Sequence, residues 1–438
     1  MGAERRLFGT DGVRGEAGTF LTAELATSIG RAAATALEAP RPQVLIVRDT
    51  RESGPMIEAA LAAGIAASGG DAMLAGVLPT PAAAILVRRL GFDLAAVVSA
   101  SHNPYRDNGI KFFSASGTKL DDETEAEVEA LIGGDGVGSA PPGRVRELNG
   151  GMEDYMRALQ AAYPLDLSGR RVALDCANGA THRAAPAIFE RLGAEVEPIG
   201  VEPDGRNIND GCGSTHIESL AAHVAAGEAE IGFAFDGDGD RVLAVDGEGR
   251  IHDGDELIAL AARGMASRGE LGGGVVVTVM SNYGFHRAMD EAGVEVAVTR
   301  VGDRYVLDEL RARDWAVGGE QSGHIIDTRF VATGDGIAAA LATMRELDGG
   351  DLAGAAPMEK LPQTLVNVEV SDREAINGAG PVWEAVEKEE AALEGRGRVL
   401  LRPSGTEPLV RVMVEAPTAE EAESVCERLV GVVRRELA

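Results

Sequence analysis

The chain has 438 residues, with 41 Lys+Arg against 70 Asp+Glu and a formal net charge of −29. A field of that sign repels nucleic acid and anionic membrane surfaces, and no uncharged apolar run approaches the ~18 residues a bilayer span needs. The opening residues carry charge but no apolar leader segment. The three cysteines (Cys176, Cys212, Cys426) lack Cys-x-x-Cys spacing, so neither a disulfide frame nor a zinc site is expected and the chain reads as cytoplasmic.

In chain order, a β-branched run at 44–47 leads into the polar turn Arg48-Asp-Thr-Arg-Glu-Ser-Gly54. An Ala-rich helical stretch follows to Ala67, then Gly69 and Gly70, then a second apolar run at 72–75. The same order recurs from 172 to 198, with the turn Asp175-Cys-Ala-Asn-Gly179, and again from 275 to 298, with Ser281-Asn-Tyr-Gly284. Each copy reads as strand, polar turn, amphipathic helix, glycine cap and strand, a βαβ unit that favours parallel strands covered by helices. Beyond 360 the pattern changes to strand (364–370), helix (381–393), two strands (398–401, 409–414) and a last helix opened by Thr418 and Glu421 as a capping box. The expected fold is α/β, with three related βαβ-containing domains of mixed sheets and a smaller C-terminal α+β domain, around a central cleft. Gly- and Pro-rich seams place the domains at 1–148, 149–250, 251–360 and 361–438.

Four stretches carry chemistry. Ser99-Ala-Ser-His-Asn-Pro104 follows an apolar strand at 94–98, where ligands gather in α/β sheets, and its hydroxyls lie near His102 and Lys111. Nothing local separates Ser99 from Ser101 as nucleophile. Phe235-Asp-Gly-Asp-Gly-Asp-Arg241 puts Asp236, Asp238 and Asp240 within five residues. Two such charges about 5 Å apart at an effective dielectric of ~20 repel by roughly 3 kcal/mol, so a cation is expected. Oxygen ligands alone favour Mg²⁺ or Ca²⁺. Gly318-Gly-Glu-Gln-Ser-Gly-His324 offers Glu320 and Ser322 to the hydroxyls of a polyol. Leu401-Arg-Pro-Ser-Gly-Thr-Glu-Pro408 with Arg411 suits phosphate, and no Walker sequence competes with it. Weaker signals are Phe8-Gly-Thr-Asp-Gly-Val-Arg-Gly15, the run 207–216 and Thr299-Arg-Val-Gly-Asp-Arg304. The acidic chain nevertheless keeps Arg14, Lys111, Arg241, Arg304, Arg402 and Arg411 inside Gly-rich loops, which is expected to make one locally positive cleft.

These four loops, in this order and spanning the chain, resemble the α-D-phosphohexomutase superfamily. Phe8 to Arg14, Asn207-Ile-Asn209, Cys212-Gly-Ser-Thr-His216 and Gln321 resemble most its branch acting on glucosamine phosphates. The resemblance implies interconversion of glucosamine 6-phosphate and glucosamine 1-phosphate through a phosphorylated serine, and it selects Ser101. It implies Mg²⁺ held by Ser101 (through its phosphoryl oxygen), Asp236, Asp238 and Asp240, with a hexose 1,6-bisphosphate as intermediate and activator. His102 and Arg241 would contact the phosphoserine. Lys111, Arg14 or His324 would serve as general acid/base, Lys111 ranked first because it shares the nucleophile's loop. Glu320 and Ser322 would bind the sugar, and Arg402, Ser404, Gly405, Thr406 and Arg411 the non-transferring phosphate. The C-terminal domain is expected to close the cleft about a hinge at 349–362, in a monomer or homodimer whose partners are small sugar phosphates, with no nucleic acid and no membrane. The same chemistry on mannose or glucose phosphates, an aspartate-nucleophile phosphatase and a non-catalytic sugar-phosphate sensor are the competing readings.

Overall fold

The computed structural model describes residues 7–9, 11–37, 39–133, 141–404 and 408–437. It forms two compact units, Met1–Met280 with Val294–Pro357, and Ser281–Gly293 with Met358–Ala438.

The three sequence repeats build three sheets of one design in the first unit. In the first, Gln43–Arg48 lies between Asp71–Val77 and Leu94–Val98, both parallel to it, and Asp107–Ser114 runs antiparallel beyond Leu94–Val98. Arg171–Asp175, Glu195–Ile199, Ile231–Phe235 and Val242–Asp246 repeat that order. Gly274–Thr278, Glu295–Thr299, Val317–Gly319 and Ile325–Asp327 repeat it once more. The inner parallel strands are the most apolar, as strands covered on both faces must be; Leu94–Val98, Ile231–Phe235 and Gly274–Thr278 are buried at every residue, whereas the edge strands Glu195–Ile199 and Glu295–Thr299 each begin with an exposed glutamate.

Helix starts follow local chemistry. Thr22, Asp121, Asn282 and Asp335 accept a backbone N–H at their N-caps, and Asp253 with Glu256 completes a capping box. The helices Gly54–Ala67 and Thr80–Leu90 begin with proline in the first turn, where its missing N–H costs nothing.

The second unit has a three-stranded antiparallel sheet, with Leu409–Glu415 between Gln363–Glu369 and Arg398–Pro403. Helices Gly380–Leu393 and Ala419–Leu437 cover a core that includes Val382, Val412, Cys426 and Val433. Glu421 N–H donates to Thr418 Oγ1 at 3.2 Å, one half of the expected capping box. The helix of the third repeat, Tyr283–Glu291, packs within this unit. Tyr283 N–H donates to Glu415 Oε2 (2.7 Å), and Asn282 exchanges two hydrogen bonds with the Leu361 backbone. Among the described residues no helix is long and apolar enough to cross a membrane.

Candidate active site

The shared strand order has a chemical consequence. In each repeat the loop leaving the third parallel strand, before the chain turns back antiparallel, is a stretch the sequence marks as reactive. Ser99 follows Leu94–Val98, Asp236 follows Ile231–Phe235, and Glu320 follows Val317–Gly319. A cavity of about 540 Å³ in the first unit is lined from all three loops, by Ser101, His102, Asp240, Arg241, Glu320 and His324 among others.

Ser101 is 1% exposed, and its Oγ donates to Asp236 Oδ2 at 2.5 Å. Ser99 is buried too, but its Oγ turns to Asp49 Oδ2 (2.6 Å) and accepts the Ser101 N–H (2.9 Å). Only Ser101 of the two borders the cavity. His102 Nδ1 lies 3.4 Å from Ser101 Oγ; burial and then the Arg241 and Arg14 charges push this imidazole below its usual range.

One oxygen from each of Asp236, Asp238 and Asp240 lies within 4.8 Å of the others, and all three residues are buried. Burial, then the neighbouring Asp240 and Asp238 charges, hold the Asp236 carboxyl well above the usual carboxylate range. Burial works the same way on Asp238, but the Lys111 ammonium and the Thr80 hydroxyl more than offset it and keep that carboxyl low. Lys111 Nζ donates to Asp238 Oδ2 at 2.7 Å and lies 3.7 Å from Asp240; Thr80 Oγ1 donates to the same Asp238 oxygen at 2.6 Å. The Oδ1 atoms of Asp238 and Asp240 are buried with no hydrogen-bond partner. Unpartnered carboxylate oxygens in a compact, oxygen-only donor set fit a hard divalent cation.

The cavity also presents cationic groups with unused donors. Arg14 and Arg241 both line it, and each keeps a buried Nε–H that has no partner. Around the rim, Lys119 bridges Asp11 and Asp303 (2.6 Å to the latter), and Arg304 donates to Leu120 O at 2.9 Å while pairing with Asp122 and Glu125. Burial would raise the Asp303 carboxyl, but Lys119 and His324 bring it to about 2. Glu320 lines the cavity and accepts the Gly302 N–H at 2.9 Å.

Two residues differ from the sequence expectation in placement. Lys111 does not line the cavity; it lies behind the triad, 2% exposed, because alternation along Asp107–Ser114 aims it at Asp238. Ser322 is exposed at the tip of the Glu320 turn and is not part of the lining.

In the second unit, Arg402 and Arg411 are cross-strand partners and Ser404 is 2% exposed. Burial, then the facing Arg411 charge, depress the Arg402 guanidinium. Arg411 Nε is buried without an acceptor. Gly405 and Thr406 lie outside the described residues.

Sequence reasoning missed Asn209, whose Nδ2 donates to Ser101 O (3.0 Å) and Asn103 O (3.2 Å). It also missed Thr80 and Lys119. The run 207–216 was a signal without a role, and this contact supplies one. Gly237 is required by close approach, since a Cβ there would stand 2.6 Å from Ser101 O.

Four family models match in sequence: the phosphoglucomutase/phosphomannomutase alpha/beta/alpha domains I (5–135), II (153–249) and III (253–362), and the C-terminal domain (365–432). The chain belongs to the phosphoglucomutase/phosphomannomutase family. Within it, phosphoglucosamine mutase of Pelotomaculum thermopropionicum is 49% identical over 441 residues, covering 98% of this chain and 99% of that one. Phosphoglucosamine mutase of Moorella thermoacetica is 51% identical over 431 residues (96% and 97%). Among solved structures, a phosphoglucomutase/phosphomannomutase family protein of Burkholderia thailandensis superposes with a TM-score of 0.82 at 24% identity, covering 98% and 97% of the chains. N-acetylphosphoglucosamine mutase of Aspergillus fumigatus, solved with GlcNAc-6P and magnesium, gives 0.70 at 19% identity (99% and 96%), a likeness of fold.

Proposed function

We propose that this protein is a phosphoglucosamine mutase, an isomerase that interconverts glucosamine 6-phosphate and glucosamine 1-phosphate in cytoplasmic amino-sugar metabolism. The observation carrying this reading is the Ser101 hydroxyl, bonded to a buried carboxylate triad at the wall of a cavity whose lining arginines, Arg14 and Arg241, each keep a buried Nε–H without a hydrogen-bond acceptor. The identity of about 50% to phosphoglucosamine mutases along nearly the whole chain supports the choice of sugar.

Ser101 acts as the phosphoryl carrier. Its phosphoryl group passes to the 1-hydroxyl of glucosamine 6-phosphate; the new P–O1 bond forms as the P–Oγ bond breaks, and the hydroxyl proton goes to a basic group of the site. The resulting 1,6-bisphosphate turns over in the cavity and returns the phosphoryl from the 6-position to Ser101. Asp236, Asp238 and Asp240 are the residues that would hold Mg²⁺, which when bound offsets negative charge on the transferring phosphoryl. His102 and Arg241 attend the phosphoserine, Arg14 and His324 face the sugar hydroxyls from the lining, and Glu320 reads the sugar with Ser322 at its turn. Lys111, committed to Asp238, is read as orienting the triad as well as serving the proton transfer. Arg402, Ser404, Gly405, Thr406 and Arg411 anchor the phosphate that is not being moved.

Kinetics with glucosamine 6-phosphate, mannose 6-phosphate and glucose 6-phosphate side by side test the substrate; a mannose preference would overturn it. The intact mass of the protein after incubation with glucose 1,6-bisphosphate tests the carrier. A gain of one phosphoryl group that Ser101→Ala abolishes and that survives hydroxylamine is expected. A hydroxylamine-labile adduct would instead favour an aspartate nucleophile.

A further inference from the structure

The polar turn after the first strand, Arg48 to Gly54, is conspicuous in the sequence and has no part in the chemistry above. Its Arg51 is 0% exposed and heads the largest fully buried side chains of the protein. A buried guanidinium needs an acceptor for each of its N–H groups. Arg51 finds one for all five. Nε donates to Asp49 Oδ2 at 2.8 Å, one terminal nitrogen to Ser101 O and Asn103 O (2.8 Å each), and the other to Asp107 O (2.9 Å) and Pro104 O. Four of the five acceptors are backbone carbonyls of the loop that carries the nucleophile.

The other end of the same network reaches the Ser101 amide. Asp49 Oδ2 accepts Ser99 Oγ (2.6 Å), and Ser99 Oγ accepts the Ser101 N–H (2.9 Å). Asp49 Oδ1 accepts the Arg51 N–H at 3.0 Å, closing the turn on itself. Both peptide groups flanking Ser101 are thereby held by one buried ion pair. What they hold is an unfavourable conformation, since Ser101 has φ 51°, the left-handed region that residues with a Cβ avoid. Asn209 adds a further donor to Ser101 O. The equivalent turn of the second repeat keeps the acid and not the arginine: Asp175 accepts the Ala177 and Gly213 N–H groups (2.9 and 2.7 Å). Capping by the aspartate is shared by the first two repeats, whereas of these two only the repeat that carries Ser101 adds the guanidinium.

We propose that Arg51, with Asp49 and Ser99, is the positioning unit of the phosphoryl carrier: it fixes the left-handed backbone that aims Ser101 Oγ at the triad and touches no substrate itself. The proposal rests on the reading of Ser101 as carrier. A lysine in place of Arg51 keeps the charge but has three donors from one nitrogen, and cannot serve acceptors spread from residue 49 to residue 107.

The test is single-turnover transfer from enzyme phosphorylated with glucose 1,6-bisphosphate to glucosamine 6-phosphate. The amplitude counts folded, phosphorylated sites, and the rate constant per site reports alignment. A displacement of about 1 Å costs on the order of 100-fold in rate, so Arg51→Lys should lower the rate per site about 100-fold, and Ser99→Ala about 10-fold, with KM within about threefold. A reduced amplitude at unchanged rate per site would mean a merely structural role and would overturn the proposal, as would a wild-type rate in both variants. If Arg51→Lys does not fold, Ser99→Ala decides on the same criterion. Ser101→Ala separates the two claims: turnover retained there removes the carrier itself, whereas a dead Ser101→Ala beside wild-type rates in Arg51→Lys and Ser99→Ala removes only the positioning unit.

Discussion

Arg402 and Arg411 stand directly opposite one another on adjacent antiparallel strands, two like charges where a sheet normally places complementary partners. Burial and mutual repulsion depress Arg402, and Arg411 keeps a buried donor without an acceptor. The arrangement is unfavourable until an anion joins it.

Removing one member should therefore separate affinity from stability. Arg411→Met is expected to raise KM for glucosamine 6-phosphate roughly 10- to 100-fold, from the loss of one charge-assisted hydrogen bond of about 1.5–3 kcal/mol, with a smaller change in kcat. The ligand-free protein should be more stable by a few tenths of a kcal/mol, as like charges no longer face each other. Steady-state kinetics and urea unfolding measure the two effects; an unchanged KM would exclude a phosphate role for the pair.

The carboxylate triad gives a thermal signature. Mg²⁺ at about 100 times its dissociation constant should stabilise the protein by ~2.7 kcal/mol, a rise of several degrees in Tm. Asp238→Asn should abolish that rise at the same Mg²⁺ concentration. An equal shift in the variant would mean that the cation binds elsewhere.

Lys119 separates two carboxylates that face the cavity, Asp11 and Asp303. Lys119→Met leaves both without their shared cation, and breaking a largely buried pair of this kind costs about 3 kcal/mol. Adding Asp303→Asn should recover much of that loss in denaturant midpoint. No recovery in the double variant would show that lost packing, and not charge, is responsible.

Asp335 caps the helix Gly336–Leu347, is 2% exposed, and is pushed up to about 7 by burial, against the bonds it accepts from Ala338 N–H and Tyr155 OH. A carboxyl whose folded pKa is raised binds more protons folded than unfolded, so stability falls as pH climbs from about 4 to about 7 and then levels off. Asp335→Asn keeps the capping oxygen and cannot ionise. Its stability relative to the parent should rise across that window and stay constant above it, as followed by urea unfolding at pH 5, 6, 7 and 8. A constant difference at all four would show that Asp335 does not titrate there.

The sequence was legible where short-range chemistry is dense. Ser101 at its strand exit, Asp240 of the glycine-spaced carboxylates, and Glu320 and His324 of the Gly319-to-His324 turn all border one cavity, because the repeat places each stretch at the same strand exit. The repeat itself was visible through its first two strands. The closing strands of the third copy were not, since Val317–Gly319 and Ile325–Asp327 have three residues each, too short to display alternation. Lys111 was read as neighbour to the nucleophile from proximity in sequence, whereas its bond is to Asp238, 127 residues away. Arg51 was hidden for the opposite reason. A charged residue in a polar turn resembles any solvated loop, and its burial depends on carbonyls some 50 residues downstream.

The left-handed backbone at Ser101 also bears on how this position can change. Glycine and asparagine are the residues such a conformation welcomes, and neither offers an oxygen able to be esterified. Conformational preference and reactivity pull in opposite directions at one codon. A drift toward backbone comfort would leave a sturdier scaffold with no turnover, so inactive descendants of this chain should be found at least as stable as their parent.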